Sequence, residues 1–512
     1  MPSALVIDGR SLTVEDVARV ARTPELTVRA GPAALAALGN SRAAVERAIT
    51  RGDVLYGVNT GFGKLANVRI DPGQLDVLQA NLIRSHAAGV GAPFPAEIVR
   101  AMLLLRANVL LRAASGVRPA LPEAVLALLN SGIVPWVPEQ GSVGASGDLA
   151  PLAHLALVLI GEGEVLEGAE GRRPAQAALA EANLAPFRLA PKEGLAFING
   201  TQAQTALLTL LVHDAEVLWR SALGAAAMSL EALRGTPAPL DERIHALRPH
   251  PGQRRAAALL RGLLEASEIR ESHRDNDPRV QDAYSLRCTP QVLGAVGDAL
   301  AFARQTAEVE LNASTDNPLV LEDGAVVSGG NFHGQPVAQA LDFLAIALTT
   351  LTALSERRIE RLVNPDLSQG LPAFLTADAG LASGYMMVQI TAASLVAECR
   401  ALAYPASIGS IPTDANQEDF VPMGMVAAYK TRRILSNAQQ VVAAEFLCAA
   451  QGLEFLKPLR PGQGVERLYA RIRSDDGVPP LRVDRPPAPD LDRLARLVAS
   501  GNLDPGAWTL SS

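Results

Sequence analysis

The sequence predicts a mainly α protein: a long central helix bundle with a smaller N-terminal domain that is mixed but mostly helical. Two observations carry this. Of the 512 residues, 48% are hydrophobic but only 4% aromatic, and the excess is alanine and leucine, both good helix formers. From Gly200 onward, long apolar stretches with few charged positions recur, and helices of that kind pack around one another in a bundle. Residues 1–199 are therefore expected to form the N-terminal domain, and 200–512 the bundle and C-terminal region.

Taken in order, Ala4-Leu5-Val6-Ile7 ahead of Asp8-Gly9 reads as a short strand and turn. Thr13-Val14-Glu15-Asp16 opens a helix with a capping-box pattern. Helix continues through 32–51 and breaks at 56–64, where three glycines prevent a stable helix and leave a mobile loop. Helices are expected at 74–88, 95–114 and 122–131. Residues 152–160 are apolar on all faces and should be buried. A hairpin-like excursion is expected at 161–173, followed by long helices at 201–233, 253–266, 292–311, 336–363 and 383–402. Proline-rich connectors at 477–480 and 485–489 precede a final short helix at 491–500.

Composition excludes several function classes. A net charge of −7 leaves no basic footprint for nucleic acid. Cys288, Cys399 and Cys448 are too few and too scattered for a disulfide framework or zinc site. The seven histidines show no His-x-x-x-His or His-x-His pairing, so no metal is indicated. Asp8, Arg10, Glu15 and Asp16 interrupt any signal-peptide-like start. The most apolar run, 343–354, is shorter than the ~20 residues that span a bilayer. A cytoplasmic location with no membrane partner is the expectation.

Residues 141–157 are the most informative stretch, with Gly144-Ala145-Ser146-Gly147-Asp148 feeding an apolar helix. Pro151 suits the first helical turn, and Asp148 favours the positive helix end. A P-loop needs Lys-Ser or Lys-Thr after its last glycine, where Asp148 stands instead. A nucleophile elbow needs Gly-x-Ser-x-Gly, which Asp148 also breaks. A third reading uses the smallness of these residues. If the Gly147 amide nitrogen bonds the Ala145 carbonyl carbon, a five-membered ring closes. Loss of water from the ring and from Ser146 then leaves an exocyclic methylidene, a strong electrophile. Gly147 has no Cβ to block that approach. The bland alternative is a glycine-rich loop ahead of a helix.

The run Gly-x-x-Gly-Ala-Ser-Gly-Asp-Leu-x-Pro-Leu resembles the methylidene-imidazolone signature of the aromatic amino acid ammonia-lyases. Further blocks extend the resemblance over nearly the whole chain, in order: 56–63 (Tyr-Gly-Val-Asn-Thr-Gly-Phe-Gly), 85–91 (Ser-His-Ala-Ala-Gly-Val-Gly), 194–202, 280–288, 312–318, 330–334 (Gly-Asn-Phe-His-Gly) and 416–419 (Asn-Gln-Glu-Asp). The resemblance implies a bundle of the fumarase/aspartase-like type and a carbon–nitrogen lyase activity. It implies a 4-methylidene-imidazol-5-one formed autocatalytically from Ala145, Ser146 and Gly147, with no metal or dissociable cofactor. It also implies a homotetramer in which each site draws on three chains, with Tyr56, Asn199 and Tyr284 from different subunits, and it places the base loop and ring loop in the N-terminal domain.

The resemblance assigns residue roles as well. Tyr56, on its glycine-bounded loop, would take the substrate's β-proton. A free tyrosine has a pKa of about 10, so its neighbours would have to lower it. Arg287 would grip the substrate carboxylate in a planar fork, with Tyr284 and Gln281 near the ring or substrate. The spacing of these three could place them on one helical face. Asn199 would hydrogen-bond substrate or the ring's oxygen, and Phe332 would pack beside the ring. Each also has a plain structural reading: a packing Tyr, a surface Arg, a helix N-cap for Asn199, a core Phe. His154 and His333 read as structural.

For the substrate, Ser85-His86 and Glu418 are the pattern of the family's histidine-type branch, since both side chains can pair with an imidazole. L-Histidine is thus the expected substrate. Phenylalanine or tyrosine deamination, an aminomutase, or a non-catalytic helical assembly are the alternatives; His86 could equally be a structural histidine before a glycine turn. Three positions depart from that branch: Phe420 replaces a histidine, Gln335 a glutamate and Asp414 a serine. They leave the electrophile, base and carboxylate grip intact and bear on side-chain specificity and turnover.

Overall fold

The computed structural model describes residues 4–168, 171–275 and 277–508. Among them nineteen α-helices carry the fold, and strands occur only as four two-stranded pairs. The chain forms two compact units. One gathers Met1–His213, Ala303–Asp342 and Pro405–Tyr429; the other gathers Asp214–Phe302, Phe343–Tyr404 and Lys430–Ser512. Four of the five cuts fall inside long helices, and the units are discontinuous in sequence, which a single linear cut after residue 199 cannot express.

In the first unit, Leu5–Ile7 pairs in parallel with Val28–Ala30, with helix Val14–Arg22 between them in sequence. The expected capping box is present: Asp16 N–H donates to Thr13 Oγ1 at 3.1 Å, and Thr13 N–H to Asp16 Oδ2 at 3.3 Å. Helix Ala96–Leu110 is buried on every face from Ile98 to Leu110, including Arg100, Arg106 and Asn108. It packs against helices Val14–Arg22 and Ala120–Asn130, while helices Leu75–His86, Leu149–Leu159 and Glu193–Ile198 pack against one another. Leu149–Leu159 is largely buried, as its composition requires. The hairpin Glu164–Glu167 with Gly171–Pro174 also forms, its turn residues 169–170 lying outside the described residues.

The second unit is helical. Its core holds a buried ion pair in which Arg358 Nη2 donates to Glu445 Oε2 at 2.8 Å, with Ser229 Oγ donating to Glu445 Oε1 at 2.7 Å. A buried charge pair is tolerable only when its remaining lone pairs are satisfied in this way. Helix Gln335–Val363 is long and apolar enough to cross a membrane, and 61% of its most apolar window is buried inside the protein. Helix Gly424–Glu454 was not expected, because Lys430, Arg432 and Arg433 interrupt its apolar pattern.

Candidate active site

The loop ahead of helix Leu149–Leu159 is closed tightly. Gly144 and Gly147 have φ of +76° and +74°, and a bridge between them folds the chain back around Ala145-Ser146. Gly147 also pairs with Gly200, so closely that a Cβ on Gly147 would stand 2.1 Å from the Gly200 carbonyl oxygen. Only glycine fits there. Asp148 pins the turn from below, its N–H donating to Gly200 O at 2.7 Å. Its fully buried carboxylate accepts from Gln204 N–H at 2.8 Å and Ser142 Oγ at 3.1 Å. Asp148 therefore caps helix Gln202–Ala232 and not the helix it precedes, which makes no side-chain cap bond with it. Burial pushes the Asp148 pKa up to about 6, with these donors opposing the shift.

Ser146 faces a cavity of about 610 Å³ in the first unit, which Tyr56, Leu82, His86, Asn199, Asp414 and Glu418 also line. Ser146 Oγ donates to Glu418 Oε1 at 2.5 Å, and Thr413 Oγ1 donates to Glu418 Oε2 at 2.7 Å. His86 ends helix Leu75–His86, with Nδ1 2.8 Å from the Leu82 carbonyl oxygen. A carbonyl only accepts, so in the neutral ring Nδ1 carries the proton and Nε2 keeps a free lone pair. Asn199 lines this cavity together with Tyr56 of the same chain, unlike the expectation that the two come from different subunits, and its Oδ1 is buried without a partner. Asn199 closes the short helix Glu193–Ile198 as its C-cap, not as an N-cap.

Gly63 N–H donates to Tyr56 Oη at 3.0 Å, and the next amide, Lys64 N–H, donates to Asp414 Oδ2 at 3.0 Å. Burial pushes the Tyr56 phenol above its usual pKa. The Gly63 N–H opposes this, and the carboxylates of Asp414 and Glu418 push it further up. The expected lowering is therefore reversed within one chain, because no cation faces Tyr56 among the groups that shift it.

Gln281, Tyr284 and Arg287 belong to the second unit, whereas the cavity is lined wholly by the first. They do not share a helical face, since the helix is only Tyr284–Arg287 and Gln281 precedes it. Arg287 stacks on the Tyr284 ring at 4.6 Å, with its Nε buried and unpaired. Phe332 is half-buried beside the loop, where Gly334 N–H meets Gly144 O at 3.3 Å, but it does not line the cavity. Of the three departures only Asp414 lines it. Phe420 is 59% exposed and stacks on His333, and Gln335 Nε2 reaches Ser407 O at 3.4 Å. His154 Nε2 accepts from Gly89 N–H within the fold. Sequence reasoning took Asp414 only for a departure and missed Arg106 beneath Asn199, whose lone charge in the apolar run 101–111 was the available signal.

A tightly closed Ala-Ser-Gly turn facing a cavity lined by Tyr56, His86, Asn199 and Glu418, on a mainly helical scaffold, points to an enzyme class, and comparison with known proteins agrees. The pattern of the aromatic amino acid lyases matches residues 12–474, and the chain belongs to that family. It is 52% identical over 500 residues to the histidine ammonia-lyase of Gloeobacter violaceus, covering 98% of this chain and 96% of that one. The structure is similar to the crystal structure of histidine ammonia-lyase from Trypanosoma cruzi, with a TM-score of 0.90 and 43% identity over 98% of this chain and 94% of that one. It is also similar to tyrosine aminomutase from Streptomyces globisporus, with a TM-score of 0.93 and 40% identity over 98% of each chain.

Proposed function

We propose that this protein is a histidine ammonia-lyase, converting L-histidine to trans-urocanate and ammonia in the cytoplasm. The observation that carries this reading is Ser146 facing Glu418 in a cavity that also holds His86, Asn199 and Tyr56. The loop suits a 4-methylidene-imidazol-5-one made from its own residues. Gly147 tolerates no Cβ, the turn folds back on itself, and Asn199 Oδ1 is an unpaired buried atom beside it. Closure bonds Gly147 N to the Ala145 carbonyl carbon and expels one water; Ser146 then loses Oγ with its α-hydrogen as a second. Neither step needs an oxidant, reductant, metal or added cofactor. The finished group supplies an electrophile that turns the substrate's amine into a better leaving group.

The chain's side chains do the rest. Once Ser146 Oγ has left, Glu418 Oε1 is free to accept from one N–H of a substrate imidazolium, and His86 Nε2 accepts from the other. Asn199 donates where negative charge develops. Tyr56 Oη takes the β-proton, and its glycine-bounded loop excludes water. Arg287 grips the substrate carboxylate, supported by Gln281 and Tyr284, with Phe332 alongside. These three second-unit residues come from other copies in a homotetramer, in line with apolar side chains left exposed, such as Phe302, Phe343 and Ile346. A cation arriving with Arg287 or with the substrate's ammonium lowers the Tyr56 pKa that one chain alone raises. Incubating the purified protein with L-histidine and following urocanate and ammonia tests the reading; absence of both overturns it.

A further inference from the structure

Beneath Asn199 lies a buried cation that the chemistry above does not use. Arg106, in helix Ala96–Leu110, is 0% exposed. Its Nη1 donates to the Asn199 carbonyl oxygen at 3.0 Å and to Gln202 Oε1 at 2.8 Å, while Nε and Nη2 find no acceptor. Burial lowers its pKa to about 10, with Asp316 and Asp148 pulling it back up, so it is charged at neutral pH. For folding alone this is a poor arrangement. A buried guanidinium with empty N–H groups is unfavourable, and an apolar side chain of similar volume is often neutral or stabilising in such a place.

What the guanidinium holds is specific. Gln202 Nε2 donates to Thr315 Oγ1 at 2.7 Å, which turns Gln202 Oε1 toward Arg106. Gly200 has φ of +142°, and a Cβ there would stand 2.4 Å from Gln202 Oε1 and 3.0 Å from Arg106 Nη1. The Gly200 carbonyl accepts from Asp148 N–H at 2.7 Å, and Gly200 pairs with Gly147. Contacts thus run without a gap from Arg106 through the Asn199–Gly200 peptide to Gly147.

We propose that Arg106 is a positioning residue that fixes the Asn199–Gly200 peptide, keeping Gly147 seated for ring closure and the Asn199 carboxamide turned to the cavity. The inference rests on the lyase reading above. Its test compares wild type, Arg106→Met and Arg106→Lys. The readouts are the mass of the peptide carrying residues 145–147, kcat and KM for L-histidine, and Tm. Arg106→Met should keep a Tm close to wild type, yet lose most of the dehydrated peptide or about a hundredfold in kcat, with KM little changed. Arg106→Lys, which restores the charge without the planar fork, should recover part of that loss. A fully dehydrated peptide and wild-type kcat in Arg106→Met overturn the proposal. Should that variant fail to fold, Gln202→Met, which removes the guanidinium's side-chain acceptor, decides. Losses in dehydration or kcat uphold the proposal, and wild-type values of both overturn it. An undehydrated wild-type peptide would instead defeat the lyase reading itself.

Discussion

Ser146 Oγ donates to Glu418 Oε1 at 2.5 Å, joining the hydroxyl that ring formation must expel to a carboxylate 272 residues away in sequence. The same carboxylate is anchored on its other oxygen by Thr413 Oγ1 at 2.7 Å. In the proposed chemistry one group therefore stands beside the loop before closure and faces the cavity after it.

Replacing Glu418 separates the two stages. Glu418→Ala should cut histidine turnover by about 10²-fold or more, because the imidazole loses a charged, half-buried partner. The peptide over 145–147 should still lose its two waters. A variant that deaminates histidine at the wild-type rate would show that Glu418 does not recognise substrate.

The loop makes a sharper demand at Gly147. Gly147→Ala places a Cβ 2.1 Å from Gly200 O at a φ of +74°, a conformation costing about 1–3 kcal/mol for a residue with a side chain. The variant should melt lower and show no mass loss, whereas Ser146→Ala should melt normally and also show none. Intact-peptide mass spectrometry with a thermal melt checks both.

The pH profile tests Tyr56. Burial and the carboxylates of Asp414 and Glu418 raise its pKa, with Gly63 N–H opposing, and His86 lines the same cavity. Phenolate-dependent turnover should therefore climb toward alkaline pH. Asp414→Ser removes an anion that disfavours the phenolate, so the climb should move to lower pH. A kcat/KM profile that is unmoved, or moved upward, would contradict Tyr56 as the base.

Assembly is tested by mixing. Tyr56→Phe and Arg287→Ala should each be nearly inactive alone. If sites draw Tyr56 and Arg287 from different chains, refolding the two together should restore part of the activity, in a species that light scattering sizes as a tetramer. Full wild-type activity in a monomer would rule this out.

The helical fold and the Ala145-Ser146-Gly147 turn were legible in the sequence, because apolar periodicity and small residues act locally. Features set by tertiary packing were not. Asp148 caps helix Gln202–Ala232, since a carboxylate serves whichever amides the fold brings to it. Gln281 sits before the helix that holds Tyr284 and Arg287, because that helix begins only at Tyr284. The direction of the Tyr56 shift is set first by burial, to which Asp414 and Glu418 add from more than 350 residues away along the chain. Asp414 stood out as an unusual residue, but its hold on Lys64 N–H could not be read from spacing.

The most direct measurement gives the purified protein histidine, phenylalanine and tyrosine separately and follows ammonia and the unsaturated acid. His86 Nε2 and Glu418 are two acceptors that an imidazolium can satisfy together, a phenol only one at a time and a phenyl ring not at all, so histidine should be turned over faster by several orders of magnitude. Deamination of phenylalanine or tyrosine as fast as histidine would contradict the histidine assignment and leave the ring chemistry standing.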